Sequence, residues 1–268
     1  MQPRELAMSA ERLTLRQQAF RADFRARIAR AYSGPAHVAL IAIIGAAAIW
    51  YCARQIGHPA WYEYLVIPAA FLVANGFEWW IHRFVMHRPV RGLMGIYKRH
   101  TLAHHQFFTD AAPRFDDTRD FRIVFFPPYA LVAFMAISLV PALILYLVGL
   151  PNTAWLLLIA NVGLYLNYEL FHYFCHVKDD RIVRHVPLVN TIRRHHIAHH
   201  NPAIMMERNF NLTYPMADWV FGTSDLDRGL LGHVFNGYSQ RFVRRDLKRI
   251  RHSIDDPRAG QVRAGAAE

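Results

Sequence analysis

Cysteine is nearly absent from this chain, which has only Cys52 and Cys175 in 268 residues. Two thiols cannot supply a four-cysteine zinc site or a typical iron–sulfur cluster. Both lie in apolar stretches, so the sequence predicts no disulfide, and Cys175 is not expected to bind a metal. Glycine-rich dinucleotide and phosphate-binding motifs are also missing, which excludes nucleotide sites of these kinds.

Acidic residues are few, 20 against 31 Lys and Arg, while 53% of the chain is hydrophobic. A net charge of +11 is compatible with this apolar content only if the two are segregated along the sequence. The basic residues lie between apolar runs, so nucleic-acid binding is not expected. Only three of the basic residues are lysine, a preference that favours a GC-rich bacterial genome and an inner membrane over the endoplasmic reticulum.

Four apolar runs are long enough to cross a bilayer, which takes about 20 residues. They cover residues 36–53, 61–81, 123–148 and 153–176. The sequence therefore predicts an all-α integral membrane protein with about four transmembrane helices in two hairpins.

The basic residues predict the orientation of these helices. Seven Lys and Arg lie in residues 1–35, eight in 83–122 and fifteen in 177–268, against one in 54–60 and none in 149–152. Basic loops stay in the cytoplasm. Both termini and the 83–122 segment are therefore expected there, in a cytoplasmic helical cap on the membrane spans.

The chain is predicted to divide into three parts. Residues 1–32 form a basic segment, interpreted as an amphipathic helix on an anionic membrane surface, with a mobile tail as the alternative. Its arginines interrupt any signal-peptide core. Residues 33–235 form the membrane-embedded domain, and residues 236–268 form a basic, partly disordered tail whose Arg241–Arg251 cluster meets lipid headgroups.

Histidine is abundant, with 16 in the chain, and eleven fall into four short clusters. The clusters are His82 and His87; His100, His104 and His105; His172 and His176; and His195, His196, His199 and His200. Neutral imidazole is the commonest protein metal ligand, and one tetrahedral ion uses at most four ligands. The clusters therefore predict two metal ions held close together. The scattered histidines are interpreted as ordinary core or surface residues: His37, His58, His185, His233 and His252.

Helical spacing predicts which histidines project together, because residues three or four apart share a helix face. The expected sets are His172 with His176, His100 with His104, and His196 with His199 and His200. His82 and His87 are five apart, which an α-helix would splay. A helix end or distortion is therefore expected between them, shortly before Pro89.

The cluster pattern HX4H, HX3HH, HX3H, HX2HH resembles that of the fatty acid hydroxylase/sterol desaturase superfamily, from about Phe77 to Thr223. Asn209-Phe210-Asn211 and Asp218-Trp219-Val220-Phe221-Gly222-Thr223 are similar to the downstream segments of that family. Two departures are Ala217, where the family usually has Trp, and one extra spacer residue in the second cluster.

The resemblance implies O2-dependent oxidation of a lipid C–H bond at two iron ions, with zinc as a possible occupant in a preparation. Iron suits imidazole ligands, and zinc cannot change oxidation state. The expected ligands are His82, His87, His100, His104, His105, His172, His176, His196, His199 and His200. His195 is an eleventh candidate, either as a partner of a ligand or in place of His196.

Carboxylates are expected to support the positively charged site. Glu78 lies one turn before His82, Glu169 lies three residues before His172, and both are expected to accept imidazole N–H bonds. Asp218 is a third candidate. Asn209 and Asn211 are expected to bind a metal-linked water or to orient a ligand.

The reaction and the partners stay open among several alternatives. A lipid hydroxylase is favoured, with a desaturase or a carotenoid-type hydroxylase as alternatives on the same site. A metal transporter is disfavoured, because transport sites lie near the bilayer midplane and these histidines lie at span ends. Electrons are expected from a separate ferredoxin or cytochrome b5-type carrier with its reductase, drawn to the basic cytoplasmic face.

Overall fold

The structure is a computed structural model that describes residues 14–179 and 181–248. These residues form helices and loops, with two isolated β-bridges and no strand among them. The α-helices in chain order are α1 (Leu15–Ala26), α2 (Gly34–Arg54), α3 (Val66–Ile81), α4 (Met94–Arg99), α5 (His105–Phe107), α6 (Phe121–Val124), α7 (Pro128–Leu147), α8 (Pro151–His176), α9 (Val189–His199), α10 (Met216–Val220) and α11 (Leu230–Val234). The all-α class predicted from the sequence is confirmed.

Four segments of the described chain are long and apolar enough to cross a membrane, as the sequence predicted. They are Gly34–Arg54, Trp61–Met86, Thr118–Leu147 and Pro151–His176. Large apolar side chains such as Val73, Ile137 and Leu147 remain more than 60% exposed on their outer faces. So large an apolar surface needs lipid rather than water around it.

Proline and glycine set the limits of the second hairpin. The third run was predicted as one span over 123–148, but α7 begins only at Pro128, because Pro127 and Pro128 cannot donate to a preceding helical turn. Gly149, with φ of 86°, ends α7, and the Leu150 N–H donates back to Leu145 O at 2.9 Å. This left-handed cap turns the chain directly into α8.

The helix α8 lies at the centre of the membrane bundle and packs against α2, α3 and α7. Gly45 of α2 allows the closest of these approaches, since a Cβ atom there would lie 2.8 Å from Leu166 Cδ1. At the end of the bundle away from the histidines, the two inter-helix turns meet, and the Gly57 N–H donates to Asn152 Oδ1 at 3.0 Å.

A helical cap covers the other end of the bundle. Its loops and short helices pack on the last turns of α3 and α8 through two buried clusters. The clusters are formed by Phe171, Cys175, Ile192 and Leu212, and by Trp79, Phe210 and Ala217. Cys175 is thus a core residue, as expected. A buried ion pair between Arg194 and Asp225, with an N–O distance of 2.7 Å, ties α9 to the C-terminal part of the cap.

The N-terminal segment contains a helix where one was predicted. Thr14 and Gln17 form a capping box at the start of α1, Leu15–Ala26. Arg21 on this helix is buried against the cap rather than exposed to a membrane surface. Residues 1–13 lie outside the described chain, as do Arg249 and Arg251 of the basic cluster and the tail after them.

Candidate metal centre

Ten histidines from α3, α8, α9 and the connections between them converge in the interior of the cap, and all ten are buried. The ligand atoms of nine of them form two groups, and within each group all such atoms lie within 4.8 Å of one another. The first histidine group is His82, His87, His100, His105 and His199, and the second histidine group is His104, His172, His176 and His196. His200 lies between the groups, with its Nε2 atom 3.2 Å from that of His104.

Two π-helical turns build the first group. The turn His82–Met86 is closed by a bond from the His87 N–H to His82 O at 3.2 Å, which brings residues five apart to one side. The expected distortion between His82 and His87 is confirmed. The turn His100–His104 repeats this geometry for His100 and His105.

The second π turn corrects the pairing within its cluster. The sequence paired His100 with His104, but the Nε2 atom of His100 lies 3.1 Å from that of His105. His104 joins the second group instead, 3.3 Å from His172 Nε2. His82 and His87 are five residues apart, and so are His100 and His105. This shared spacing was the signal in the sequence that could have shown the pairing of His100 with His105.

The last turn of helix α9 contributes one histidine to each group. The Nε2 atom of His196 lies 3.1 Å from that of His176, in the second group. The Nε2 atom of His199 lies 2.9 Å from that of His87, in the first group. The predicted α8 set, His172 and His176, therefore stays together in the second group. The predicted α9 set is divided, with His196 in the second group, His199 in the first and His200 in neither.

Backbone carbonyls orient the imidazoles. Five rings direct Nδ1 to a carbonyl oxygen: His82 to Phe210, His104 to Ile123, His176 to Pro113, His199 to Arg208 and His200 to Phe108. A carbonyl only accepts hydrogen bonds, so Nδ1 carries the proton and Nε2 presents its lone pair to the centre. This is the usual outer support of a metal-binding imidazole.

The arrangement of Nε2 atoms fits metal ions. The Nε2 atom of His82 lies 2.8 Å from that of His100 and 3.2 Å from that of His87, so lone pairs face one another. A cation placed between the lone pairs relieves this repulsion. Two nitrogen atoms that each lie about 2.1 Å from one ion, at a right angle, are about 3 Å apart, which is close to these Nε2–Nε2 distances. Burial, with the neighbouring His82 and His200, lowers the pKa of His87 to about 2, and burial lowers that of His200 to about 3.

Glu78 and Glu169 do not support the imidazoles as expected. Glu78 accepts the backbone N–H and the hydroxyl of Thr213, and Glu169 accepts the Tyr165 hydroxyl at 2.8 Å and the Phe126 N–H at 3.1 Å. Each side chain instead accepts a backbone N–H from a neighbouring loop, Glu78 from Thr213 and Glu169 from Phe126. These carboxylates tie the spans to the cap and to the start of α7.

Asp218 does meet a histidine, and that histidine is His195. The His195 Nε2 atom lies 2.9 Å from Asp218 Oδ2, which turns the ring away from both groups. Burial raises the pKa of Asp218, but hydrogen bonds from His195, Thr223 and Asn211 outweigh it, and the pKa lies below its ordinary value. The structure therefore separates His195 from the other ten histidines.

Asn209 and Asn211 frame the loop that holds His82 and do not face the ligand nitrogens. Asn209, with φ of 61°, donates to His195 O at 3.2 Å and accepts from the Asp225 N–H at 2.8 Å. Asn211 donates to Asn75 O at 3.0 Å. Between them, Phe210 offers its carbonyl to His82.

Fold and site together define a multi-span helical membrane protein with a buried polyhistidine site suited to metal. The family model described as fatty acid hydroxylase matches residues 67–223, more than half of the chain and all ten converging histidines. The chain belongs to this family, within the fatty acid hydroxylase/sterol desaturase superfamily, as the resemblance predicted. The family is iron-dependent and acts on lipids. Comparison with curated proteins and with solved structures gives no match.

Proposed function

We propose that this protein is a membrane-bound di-iron oxygenase that hydroxylates a C–H bond of a lipid, using O2 and electrons from another protein. The observation that carries this proposal is the pair of buried histidine groups at the ends of membrane-spanning helices. The lipid is a fatty acyl chain, a sterol or a polar lipid.

Two iron ions are proposed, one for each histidine group. Iron on imidazole ligands supplies the redox chemistry that activates O2, which zinc does not, although zinc can occupy such a site in a preparation. The ten buried histidines, with His200 between the groups, are the proposed ligands.

The chain itself excludes water from the centre and places it near lipid. The rings of His87, His104 and His199 are all at least 98% buried. His82 and His172 lie near the cap ends of the candidate spans Trp61–Met86 and Pro151–His176, so the proposed lipid substrate is expected to reach the centre from the membrane. Asp218 and Asn209 hold the loop behind His82, and Glu78 and Glu169 hold the spans.

The histidines are proposed to face the cytoplasm of a bacterial cell, because basic residues gather at that end of the spans. The chain lacks a dinucleotide motif and the four cysteines of a typical iron–sulfur cluster. A ferredoxin or cytochrome b5-type carrier with its reductase is therefore the proposed electron donor.

Mass spectrometry of total lipids tests the reaction. Cells that also supply a working electron carrier express the wild type, the His196→Ala/His199→Ala variant, or His185→Ala. The last variant removes an exposed histidine outside the groups. We expect a lipid with one added oxygen in the wild type and His185→Ala cells only, and its fragments name the substrate.

The other results point to specific alternatives. A lipid that loses two hydrogens makes the protein a desaturase, and an oxygenated carotenoid makes it a carotenoid-type hydroxylase. Unchanged lipids together with metal uptake into vesicles would reject the oxygenase and favour a metal transporter.

A further inference from the structure

Residues 107–113 form a segment that orients two imidazoles on one side of the centre. Phe108 O accepts from His200 Nδ1 at 3.0 Å, and Pro113 O accepts from His176 Nδ1 at 2.6 Å. The Nε2 atoms of these two rings lie 3.0 and 3.1 Å from that of His196. The path of this segment therefore sets the direction of two lone pairs beside His196.

Arg21 of α1 binds both ends of this segment. Its Nε donates to Phe107 O and its Nη2 donates to Ala112 O, each at 2.8 Å. These two carbonyls come immediately before the two that hold the imidazoles. The guanidinium group has a rigid, planar set of donors and lies over the Phe107 ring at 4.7 Å, so it fixes the separation of the two ends.

The contacts of helix α1 hold Arg21 in this buried position. Arg21 is 1% exposed, and a buried charge is costly unless it is fully bonded. On either side of it, Gln17 donates to Thr109 Oγ1 at 2.9 Å and Arg25 donates to Asp120 Oδ1 at 2.7 Å. Gln17 and Arg21 thus bind the segment itself, and Arg25 fixes the same face of α1 to Asp120 beyond it.

We propose that Arg21 is a positioning residue for the metal of the second histidine group. It acts through residues 107–113 on His176 and His200, and it rests on the two-metal centre proposed above. The first histidine group adjoins this segment only at His105, two residues before Phe107, while carbonyls of Phe210 and Arg208 hold His82 and His199. Loss of Arg21 is therefore expected to weaken the second metal site more than the first.

The test measures iron in full-length protein loaded with 57Fe. His87→Ala and His172→Ala define the Mössbauer spectra that remain when the first or the second group is damaged. Arg21→Lys keeps the charge but cannot bridge both carbonyls. We expect it to release about half of its iron to a chelator roughly tenfold faster than the wild type, and its remaining spectrum to match that of His172→Ala.

Two further variants complete the design. Arg27→Gln is the matched control on the same helix, since Arg27 is exposed and pairs only with Asp23 among the ion pairs of the described chain, and it should retain iron as the wild type does. Gln17→Ala removes a weaker contact to the same segment and should give a smaller change in the same direction, even if Arg21→Lys yields little folded protein.

Equal loss of both iron signals, or no loss in either variant, would overturn the positioning role. A wild-type protein that binds no iron would overturn it together with the metal centre. The iron measurements need no substrate, so a wild type that holds iron but oxidises no lipid would sink the proposed reaction alone.

Discussion

Each imidazole of the centre has two nitrogen atoms with different partners, and this division governs the consequences of single substitutions. The inner nitrogen faces other histidines, and the outer nitrogen of five rings meets a backbone carbonyl. Side chains that hold those carbonyls in place are therefore as important for metal binding as residues nearer the centre.

Asp218→Asn tests this dependence in the loop that holds His82. Asp218 accepts from His195 and from the backbone N–H groups of Phe210 and Asn211, all buried. Removal of the charge breaks this network and should destabilise the protein by about 3 kcal/mol. We expect thermal unfolding at lower temperature and reduced metal per chain; unchanged metal content would contradict the link from Asp218 to His82.

Glu169→Ala separates a structural carboxylate from one that supports metal. Its partners are Tyr165 and the Phe126 N–H, not an imidazole. Loss of the acceptor leaves a buried donor unpaired and should cost about 2 kcal/mol of stability, while metal per chain stays at the wild-type value. Metal analysis beside denaturant unfolding checks this, and selective metal loss would restore the role first expected for Glu169.

At the scale of elements, the position of the histidines depends on how closely the spans approach one another. Gly45 and Leu166 set the distance between α2 and α8, and α8 carries His172 and His176 two turns beyond that contact. A helix pair that separates here therefore moves one wall of the site.

Gly45→Val should destabilise the bundle, because the added side chain meets Leu166 at less than contact distance. Overpacking of this kind costs about 1–3 kcal/mol. Leu166→Ala in the same chain should restore part of the loss, and a double-mutant cycle on unfolding measures this coupling. Gly163→Ala is the control, since no atom lies within 4 Å of a Cβ at Gly163. Additive effects of Gly45→Val and Leu166→Ala would argue against the close contact.

At the scale of the whole molecule, apolar and basic surfaces divide the chain into a membrane bundle and a cap. Both short inter-helix turns lie at one end of the bundle, and all ten converging histidines lie at the other. We expect the orientation in the membrane and the access of the proposed electron carrier to follow from this polarity.

Reporter cysteines test the orientation. His58→Cys lies in the turn after α2 and Arg91→Cys lies between the π turn and α4, both at exposed positions. The native cysteines are buried, so the wild type gives the background. A membrane-impermeant maleimide should label the first variant in intact cells and the second only after permeabilisation; the reverse pattern would invert the proposed topology.

Basic residues of the cap should steer an acidic carrier. Arg241, Arg245 and Lys248 are exposed, so their replacement by glutamine should slow reduction by the carrier and weaken its dependence on ionic strength. Stopped-flow reduction at several salt concentrations measures both. Arg27→Gln, which removes one exposed charge from α1, is the comparison, and equal rates in all proteins would exclude this surface as the docking site.

The sequence by itself determined the four spans and the identity of the clustered histidines. These features depend on local patterns: an apolar run long enough for a bilayer, and a histidine spacing that repeats with a helical turn. The family match over residues 67–223 covers all the clustered histidines and the third and fourth spans. Even the distortion between His82 and His87 was readable, because five residues do not fit one α-helical face.

Only the tertiary structure decided which histidines meet and what holds them. His104 leaves His100 for the second group because the chain takes a π turn, and His195 turns to Asp218 although it stands beside His196. No sequence pattern marks the carbonyls of Phe108 and Pro113, since every residue has a backbone carbonyl, and none distinguishes Arg21 from the other arginines of α1. The roles of these groups arise only when segments distant in the sequence fold together, and the order of residues along the chain does not show which segments will meet.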